Sequence, residues 1–379
     1  MKFIHLSDLH IGKRVNEYSM LEDQQYILMQ IINIIDETKP DGVIIAGDVY
    51  DKPVPSAEAV ALFDDFLYRL AKRNLQVFVI SGNHDSPERI AFASRLIEKS
   101  GIYMSPVYNG KVTPITLSDE YGEFDVYMLP FIKPAHVRRY FEEETINSYT
   151  DAMRVAIENM NINKSHRNIL VTHQFVTGSS RCESEELSVG GTDNVDSDVF
   201  EDFDYVALGH IHSPQNCGSD KIRYCGTPLK YSFSEASHKK SVTVVTFEKK
   251  GDMEITTIPL TPLRDLVEIK GTYDEIMSKS FYEGTTYKED YMHITLTDEE
   301  DIYDAVGKLR TVYKNLMKLD YDNKRTRGTA RITETADVER KSPLELFSNF
   351  YEIQNSQPMS DEQNEFMLEL IERIWEGQE

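Results

Sequence analysis

The chain is poor in cysteine, in tryptophan, in positive charge and in long apolar runs. Its three cysteines (Cys182, Cys217 and Cys225) form an odd count without metal-site spacing, which excludes a disulfide framework and a cysteine-built zinc site. A reduced, cytoplasmic setting is the expectation. No apolar run approaches the roughly 20 residues of a membrane-spanning helix, and the chain opens directly on "MKFIHLSDLH" without a signal-peptide pattern; no membrane association is expected. Lys and Arg number 41 against 64 Asp and Glu, a net charge of -23. That excludes a protein that coats nucleic acid by bulk charge. It leaves room for a nuclease, because carboxylates that hold metals count as negative and bound cations reverse the field locally. Basic pairs remain at Lys13-Arg14, Lys72-Arg73, Arg138-Arg139 and Lys239-Lys240, with a run at 324–327. Taken singly, each reads as solvated surface.

What is present is ordinary core material, with 40% hydrophobic and 10% aromatic residues in 379, enough for two domains and a tail. Up to about residue 260, apolar runs ("KFIHLSD", "GVIIAGD", "QVFVISG", "FDVYMLP", "NILVTHQ", "DYVALGH", "SVTVVTF") alternate with helical periodicity. Ile27, Leu28, Ile31, Ile32 and Ile35 form one helical stripe; Val60, Phe63, Leu67 and Leu70 form another. Ser56 and Ser86 are expected N-caps, the second followed by Pro87. Strands alternating with helices imply a layered α/β fold, a β-sheet core flanked by helices. The texture changes near "TPLRDL". Residues 262–335 read as a small α/β domain, with a capping box at Thr272–Glu275, a strand "YMHITL", a helix around Ile302–Tyr313 and a strand "LMKLDY". Residues 336–379 read as two C-terminal helices opened by boxes at Ser342 and Ser360, with apolar residues from Leu344 to Trp375.

Five apolar runs end in candidate metal ligands: Asp8 and His10; Asp48; Asn83 and His84; His173; His210 and His212. In an open α/β sheet, sites form beyond the carboxyl ends of strands. Residues two apart in extended chain point the same way, so Asp8 and His10 are expected to converge, as are His210 and His212. Glycines 47, 82 and 209 allow sharp exits. Mixed carboxylate, amide and imidazole donors suit Mn²⁺, Fe²⁺ or Zn²⁺ better than Ca²⁺. One carboxylate between two donor sets could bridge two ions, an arrangement suited to phosphoester displacement. A lone Asp-x-His or a lone His after a strand is more often structural; five such groups in order have no comparable structural explanation. His5, His136, His166, His238 and His293 lack this context and read as structural or surface residues.

The series Asp8-x-His10, Gly47-Asp48, Gly82-Asn83-His84-Asp85, His173 and Gly209-His210-x-His212 resembles the calcineurin-like metallophosphoesterase superfamily. "THQFVTG", "SVGGTDNV" and "YCGTPLKYSFSE" add a narrower resemblance to the nuclease subunits of bacterial SbcC–SbcD complexes. The resemblance implies two Mn²⁺ ions, one held by Asp8, His10, Asp48 and His212, the other by Asp48, Asn83, His173 and His210. His84 would stand over the scissile phosphate as an acid, with Asp85 orienting its ring. Residues 1–261 would be the nuclease domain, 262–335 a DNA-capping domain and 336–379 a docking tail for an SbcC-type ATPase. The nuclease would act on DNA as a homodimer within a heterotetramer, its dimer formed by helices after Asp48 and His84 with Ile90, Phe92, Ala93, Leu96 and Ile97. Archaeal and eukaryotic relatives carry a second histidine shortly after the bridging aspartate; here Asp51 stands there, and its charge would repel a phosphate. The competing readings are a stand-alone phosphodiesterase or phosphatase and a non-catalytic scaffold.

Overall fold

A computed structural model describes residues 1–180, 182, 193–324 and 326, and, toward the C-terminus, 344, 347, 348, 351 and 359–376. The expected box at Ser342 and most of the "SVGGTDNV" stretch lie outside these residues. Two compact units emerge: the larger comprises Met1–Ile269, Met277–Ile294 and Val306–Leu319, and the smaller Lys270–Ile276, Thr295–Ala305 and Asp320–Glu379.

The larger unit is built on two six-stranded sheets. The first is ordered Met253–Pro259, Ser241–Phe247, Lys2–Leu6, Gly42–Ala46, Gln76–Ile80, Ile102–Met104. The second is ordered Gln215–Cys217, Ser219–Tyr224, Tyr205–Gly209, Arg167–His173, Gly122–Leu129, Ile115–Asp119. In the first sheet the four strands from Lys2–Leu6 to Ile102–Met104 pair in parallel and the two toward Met253–Pro259 pair antiparallel; in the second the four central strands pair in parallel and both edge strands antiparallel. All seven apolar runs read from the sequence are strands here. Their near-continuous hydrophobicity follows from burial on both faces.

One face of each sheet contributes to a shared core of Phe3, Ile44, Phe78, Phe124, Val126, Ile169, Tyr205 and Phe247, with the Phe3 and Phe124 rings stacked at 5.3 Å. The other face of the first sheet is covered by the Leu21–Thr38 and Ala57–Ala71 helices, and that of the second by Tyr149–Glu158. The Leu21–Thr38 helix buries all five residues of its expected stripe. The Ala57–Ala71 helix is rotated from expectation: it buries Ala59, Phe63, Phe66 and Leu70, while Val60 is exposed. Ser56 accepts from the Ala59 N–H and Ser86 from the Arg89 N–H, as their sequence positions suggest. The helix expected after His84 is broken: Pro87–Ile90 and Ser94–Ile97 are separate turns, with Ala93 at φ +60° between them. That left-handed residue cannot continue a right-handed helix. Phe92 and Leu96 are 81% and 80% exposed.

A third sheet runs Leu266–Gly271, Tyr291–Leu296, Asn315–Tyr321. The helix expected at Ile302–Tyr313 is shorter, Ala305–Arg310. In the smaller unit the Thr272 box closes reciprocally with Glu275, and Ser360 closes with Gln363 at the head of the Asp361–Glu376 helix. Among the described residues no helix is long and apolar enough to cross a membrane.

Candidate metal centre

Both sheets deliver polar residues from the carboxyl ends of their central strands. The strands stop at Leu6, Ala46, Ile80, His173 and Gly209, and the donors lie at or just beyond these ends. Their convergence does not come from strand alternation. Asp8, His10, Asp48 and His210 have φ of 52°, 44°, 48° and 102°, a left-handed region that costs a non-glycine residue of order 1–3 kcal/mol. The backbone holds them there: the Asp8 N–H donates to the Gly47 carbonyl at 3.0 Å and the His10 N–H to the Asp48 carbonyl at 2.9 Å. The His210 N–H donates to both Asp8 oxygens, at 3.0 and 3.1 Å. His210 and His212 do not converge as expected; they point into two different lobes.

In the first lobe His10 Nε2 and His212 Nε2 are 3.2 Å apart beside Asp8. Two nitrogens on one divalent ion with bonds of about 2.1 Å stand about 3–3.4 Å apart, so this pair fits a cation. In the second lobe Asn83 Oδ1 lies 2.9 Å from His173 Nε2 and 3.0 Å from His210 Nδ1. Asp48 Oδ2 lies 3.3 Å from His173 Nε2 and 3.7 Å from His10 Nε2, between the lobes. The donor set suits two divalent ions. Close approach explains two of the glycines better than backbone freedom does. A Cβ on Gly82 would meet Asp48 Oδ1 at 2.1 Å, and one on Gly209 would meet the Ala46 carbonyl at 1.9 Å. Only Gly47, at φ +86°, also needs its left-handed conformation.

Tautomers follow from chemistry, since a carbonyl can only accept. His173 Nδ1 faces the Ala46 carbonyl at 2.8 Å and so carries the hydrogen, leaving Nε2 for the lobe. His84 Nδ1 faces the Asp51 carbonyl at 3.2 Å, leaving its Nε2 4.0 Å from Asp48 Oδ2. Asp85 has a different duty from the expected one. Its carboxylate accepts the backbone N–H groups of Val49, Tyr50 and Gly82 at 2.9–3.1 Å, tying two ligand loops together rather than orienting the His84 ring. Asp51 is paired with Lys13 at 2.7 Å, which offsets its charge.

Charge is shared unevenly. Burial pushes Asp8 up to about 6, with the Asp48 charge adding to the rise and His173 opposing it. Burial also acts on Asp48, but His173, His10 and His84 outweigh it and hold that carboxyl well below the usual range. Burial and the Asp48 charge raise Asp85 to about 6 against its three backbone donors. Burial lowers His10. It acts the same way on His173, yet the Asp48 and Asp8 charges carry that ring up to about 9. A cation entering this cluster displaces protons, because each imidazole must offer a lone pair.

Two readings of surface residues need correction. Lys13 borders the centre beside Asp51, and Lys240 is buried at 5% exposure. The latter joins Glu235, at 0% exposure, behind His212. No sequence signal marked Glu235 or Lys240 as partners of a ligand. The histidines set aside are engaged elsewhere: His5 with the Tyr205 hydroxyl, His166 with Asp125 and Glu123, and His293 with Glu268.

Residues 1–214 match the calcineurin-like phosphoesterase family, and 262–355 match the type 5 capsule protein repressor C-terminal domain. The SbcD subunit of the SbcCD nuclease of Staphylococcus epidermidis is 32% identical over 381 residues, covering 99% of each chain. Among solved structures, a dimetal phosphatase from Danio rerio aligns at TM-score 0.39 and 13% identity, covering 68% of this chain and 95% of that one. The phosphoesterase Yfce from E. coli aligns at TM-score 0.28 and 13% identity, covering 69% of this chain and 100% of that one. A match of this extent to the staphylococcal protein, over a chain whose strand ends gather the phosphoesterase donor set, decides the family: the chain belongs to the calcineurin-like metallophosphoesterases and, within them, to the SbcD family of nuclease subunits.

Proposed function

We propose that this chain is the nuclease subunit of an SbcC–SbcD-type complex, a Mn²⁺-dependent phosphodiesterase that cuts DNA in repair and recombination. It acts as a double-strand exonuclease and a single-strand or hairpin endonuclease, in the cytoplasm, with an SbcC-type ATPase. The observation that carries the reading is the Asp48 carboxylate between the Asp8–His10–His212 and Asn83–His173–His210 donors. Two divalent cations bound there would neutralise phosphate oxygens and activate water. Asp8, His10, Asp48 and His212 would hold one; Asp48, Asn83, His173 and His210 the other.

The rest is done by the chain. His84, with Nδ1 engaged by the Asp51 carbonyl, presents Nε2 to the leaving oxygen and delivers its proton there. Lys13 cancels the repulsion that Asp51 would exert on a phosphate. Asp85 fixes the turn carrying Asn83 and His84 against the turn after Asp48. The domain assignment 1–261, 262–335 and 336–379 belongs to the same proposal. So does a homodimer inside a heterotetramer, for which the exposed Phe92 and Leu96 offer apolar surface. The tail, with Phe366 64% exposed, is the proposed docking element for the ATPase.

The test is cleavage of hairpin and linear duplex DNA with Mn²⁺, with and without the cognate ATPase, beside turnover of cyclic nucleotides. Cleavage of DNA that the ATPase stimulates is the expected result. Cyclic-nucleotide turnover without DNA cleavage would make the protein a stand-alone phosphodiesterase.

A further inference from the structure

The stretch Tyr224–Glu235 forms the wall behind the first lobe, and phosphodiester cleavage by the donors and His84 makes no direct use of it. Tyr231 donates its hydroxyl to the Leu9 carbonyl at 2.5 Å and stands edge-on to the His10 and His212 rings at 5.7 and 6.3 Å. Four residues on, Glu235 is fully buried. Its Oε1 lies 3.3 Å from His212 Nδ1 and accepts the Tyr231 N–H at 3.3 Å. Its Oε2 accepts from Lys240 Nζ at 2.5 Å and from the Thr227 hydroxyl at 3.4 Å. Lys240 Nζ donates also to the His212 carbonyl at 2.9 Å and to the Thr227 hydroxyl at 2.6 Å. The ammonium thus grips both the carboxylate and the backbone of the residue that the carboxylate orients.

We propose that Glu235 is a positioning residue of the metal centre: it fixes the His212 ring with its hydrogen on Nδ1 and Nε2 aimed at the cation, and Lys240 holds Glu235 in place. The reason is geometric and electrostatic. An imidazole has two candidate donor nitrogens, and the partner of one decides which lone pair the other offers. His212 Nε2 faces His10 Nε2 at 3.2 Å, so only a hydrogen on Nδ1 leaves two lone pairs converging on one point. A carboxylate, unlike an amide or hydroxyl, can only accept and enforces that choice. Burying it alone would be prohibitive, and the Lys240 ammonium compensates. The Cys182 Sγ also lies within 4.8 Å of the His212 and Glu235 donor atoms. It is only partly buried, and sulfur is a weaker hydrogen-bond partner than an ionised carboxylate.

The inference rests on His212 being a metal ligand, so the experiment carries a control for that reading. Mn²⁺ binding to the full chain is followed by calorimetry and by electron paramagnetic resonance, with the visible spectrum of the Co²⁺ form reporting coordination geometry. His212→Ala should abolish binding at one position. If both positions keep wild-type affinity in that variant, the site assignment itself is wrong. With that control passed, Glu235→Gln should weaken one Mn²⁺ position about 10–100-fold, the usual effect of losing a ligand's outer partner, and change the Co²⁺ spectrum. The other position should stay near wild type. Glu235→Asp keeps a carboxylate on the Lys240 side and shortens the reach to His212, and should show the same selective loss. Cys182→Ala should leave both affinities unchanged. Wild-type affinity in both Glu235 variants, or a selective loss on Cys182→Ala in place of Glu235, overturns the proposal.

Discussion

The two lobes of the metal centre are braced in different ways. Around His212 the bracing is side chain on side chain: Glu235, Lys240 and Thr227 interlock behind the ring. His10 is held through its backbone carbonyl, which accepts from Gln24 Nε2 at 2.7 Å, while its buried Nδ1 has no hydrogen-bond partner among the described residues. Around His173 the bracing is backbone: the ring donates to the Ala46 carbonyl, and Gly47 and Gly209 let neighbouring strands approach the ring. The contrast teaches that a centre with one donor chemistry can have two kinds of vulnerability. One lobe yields to changes in charged partners that never touch a cation. The other yields to added volume.

Asp48 belongs to both lobes and gives the largest expected effect. Asp48→Asn should lower both Mn²⁺ occupancies together, read by elemental analysis of the purified protein. DNA cleavage should fall beyond the roughly 10²–10⁴-fold that one acid–base group supplies. One position retained at full occupancy would break the symmetry on which the comparison stands. His84→Gln should fall within that roughly 10²–10⁴-fold range in rate while keeping both ions. His84 shares a donor cluster with His10 and Asp48, so loss of one ion in that variant would make it a ligand and add a donor to the first lobe.

Gly209→Ala sharpens the contrast from the other side. Its Cβ would meet the Ala46 carbonyl and, at 2.6 Å, His173 Nδ1. Overpacking of this kind costs about 1–3 kcal/mol, visible by denaturant titration. The affinity loss should fall on the lobe that Glu235→Gln spares. A loss confined to the first lobe would refute the division. The smallest effect is expected at Asp119, which pairs with Arg167 at the start of the strand that ends in His173. The Arg167 hydrogen bonds hold the Asp119 carboxyl well below its ordinary value. A depressed carboxyl contributes stability that is present above its unfolded value, about pH 4, and is lost as pH falls. Asp119→Asn should therefore cost about 1–2 kcal/mol at pH 7, and its melting temperature should decline less steeply than wild type between about pH 5 and 2. Parallel curves would show that the pair contributes nothing to the acid response.

Much of this was legible in the sequence for a simple reason. Parallel strands buried on both faces must be continuous apolar runs, so each polar residue at a strand end stands out against its background. That exposed Asp8, His10, Asp48, Asn83, His84, His173, His210 and His212 together. The Ser56 and Ser86 caps were legible because they depend on residues three positions away. Sequence periodicity misassigned Val60 because a helix's rotation depends on what it packs against. It also ran through Ala93, whose left-handed backbone leaves no compositional mark.

The sequence by itself therefore determined the layered fold and which residues are candidate donors, since burial periodicity and ligand chemistry are properties of residue types in order. The tertiary structure decided how the donors divide into lobes, because left-handed turns at Asp8, His10, Asp48 and His210, not strand alternation, aim the side chains. It also decided that Asp85 clamps loops and that Lys240, a charged residue that reads as surface, is buried against Glu235. A charge is tolerated in a core only beside its counter-charge, and which residues become neighbours is settled by the folded chain.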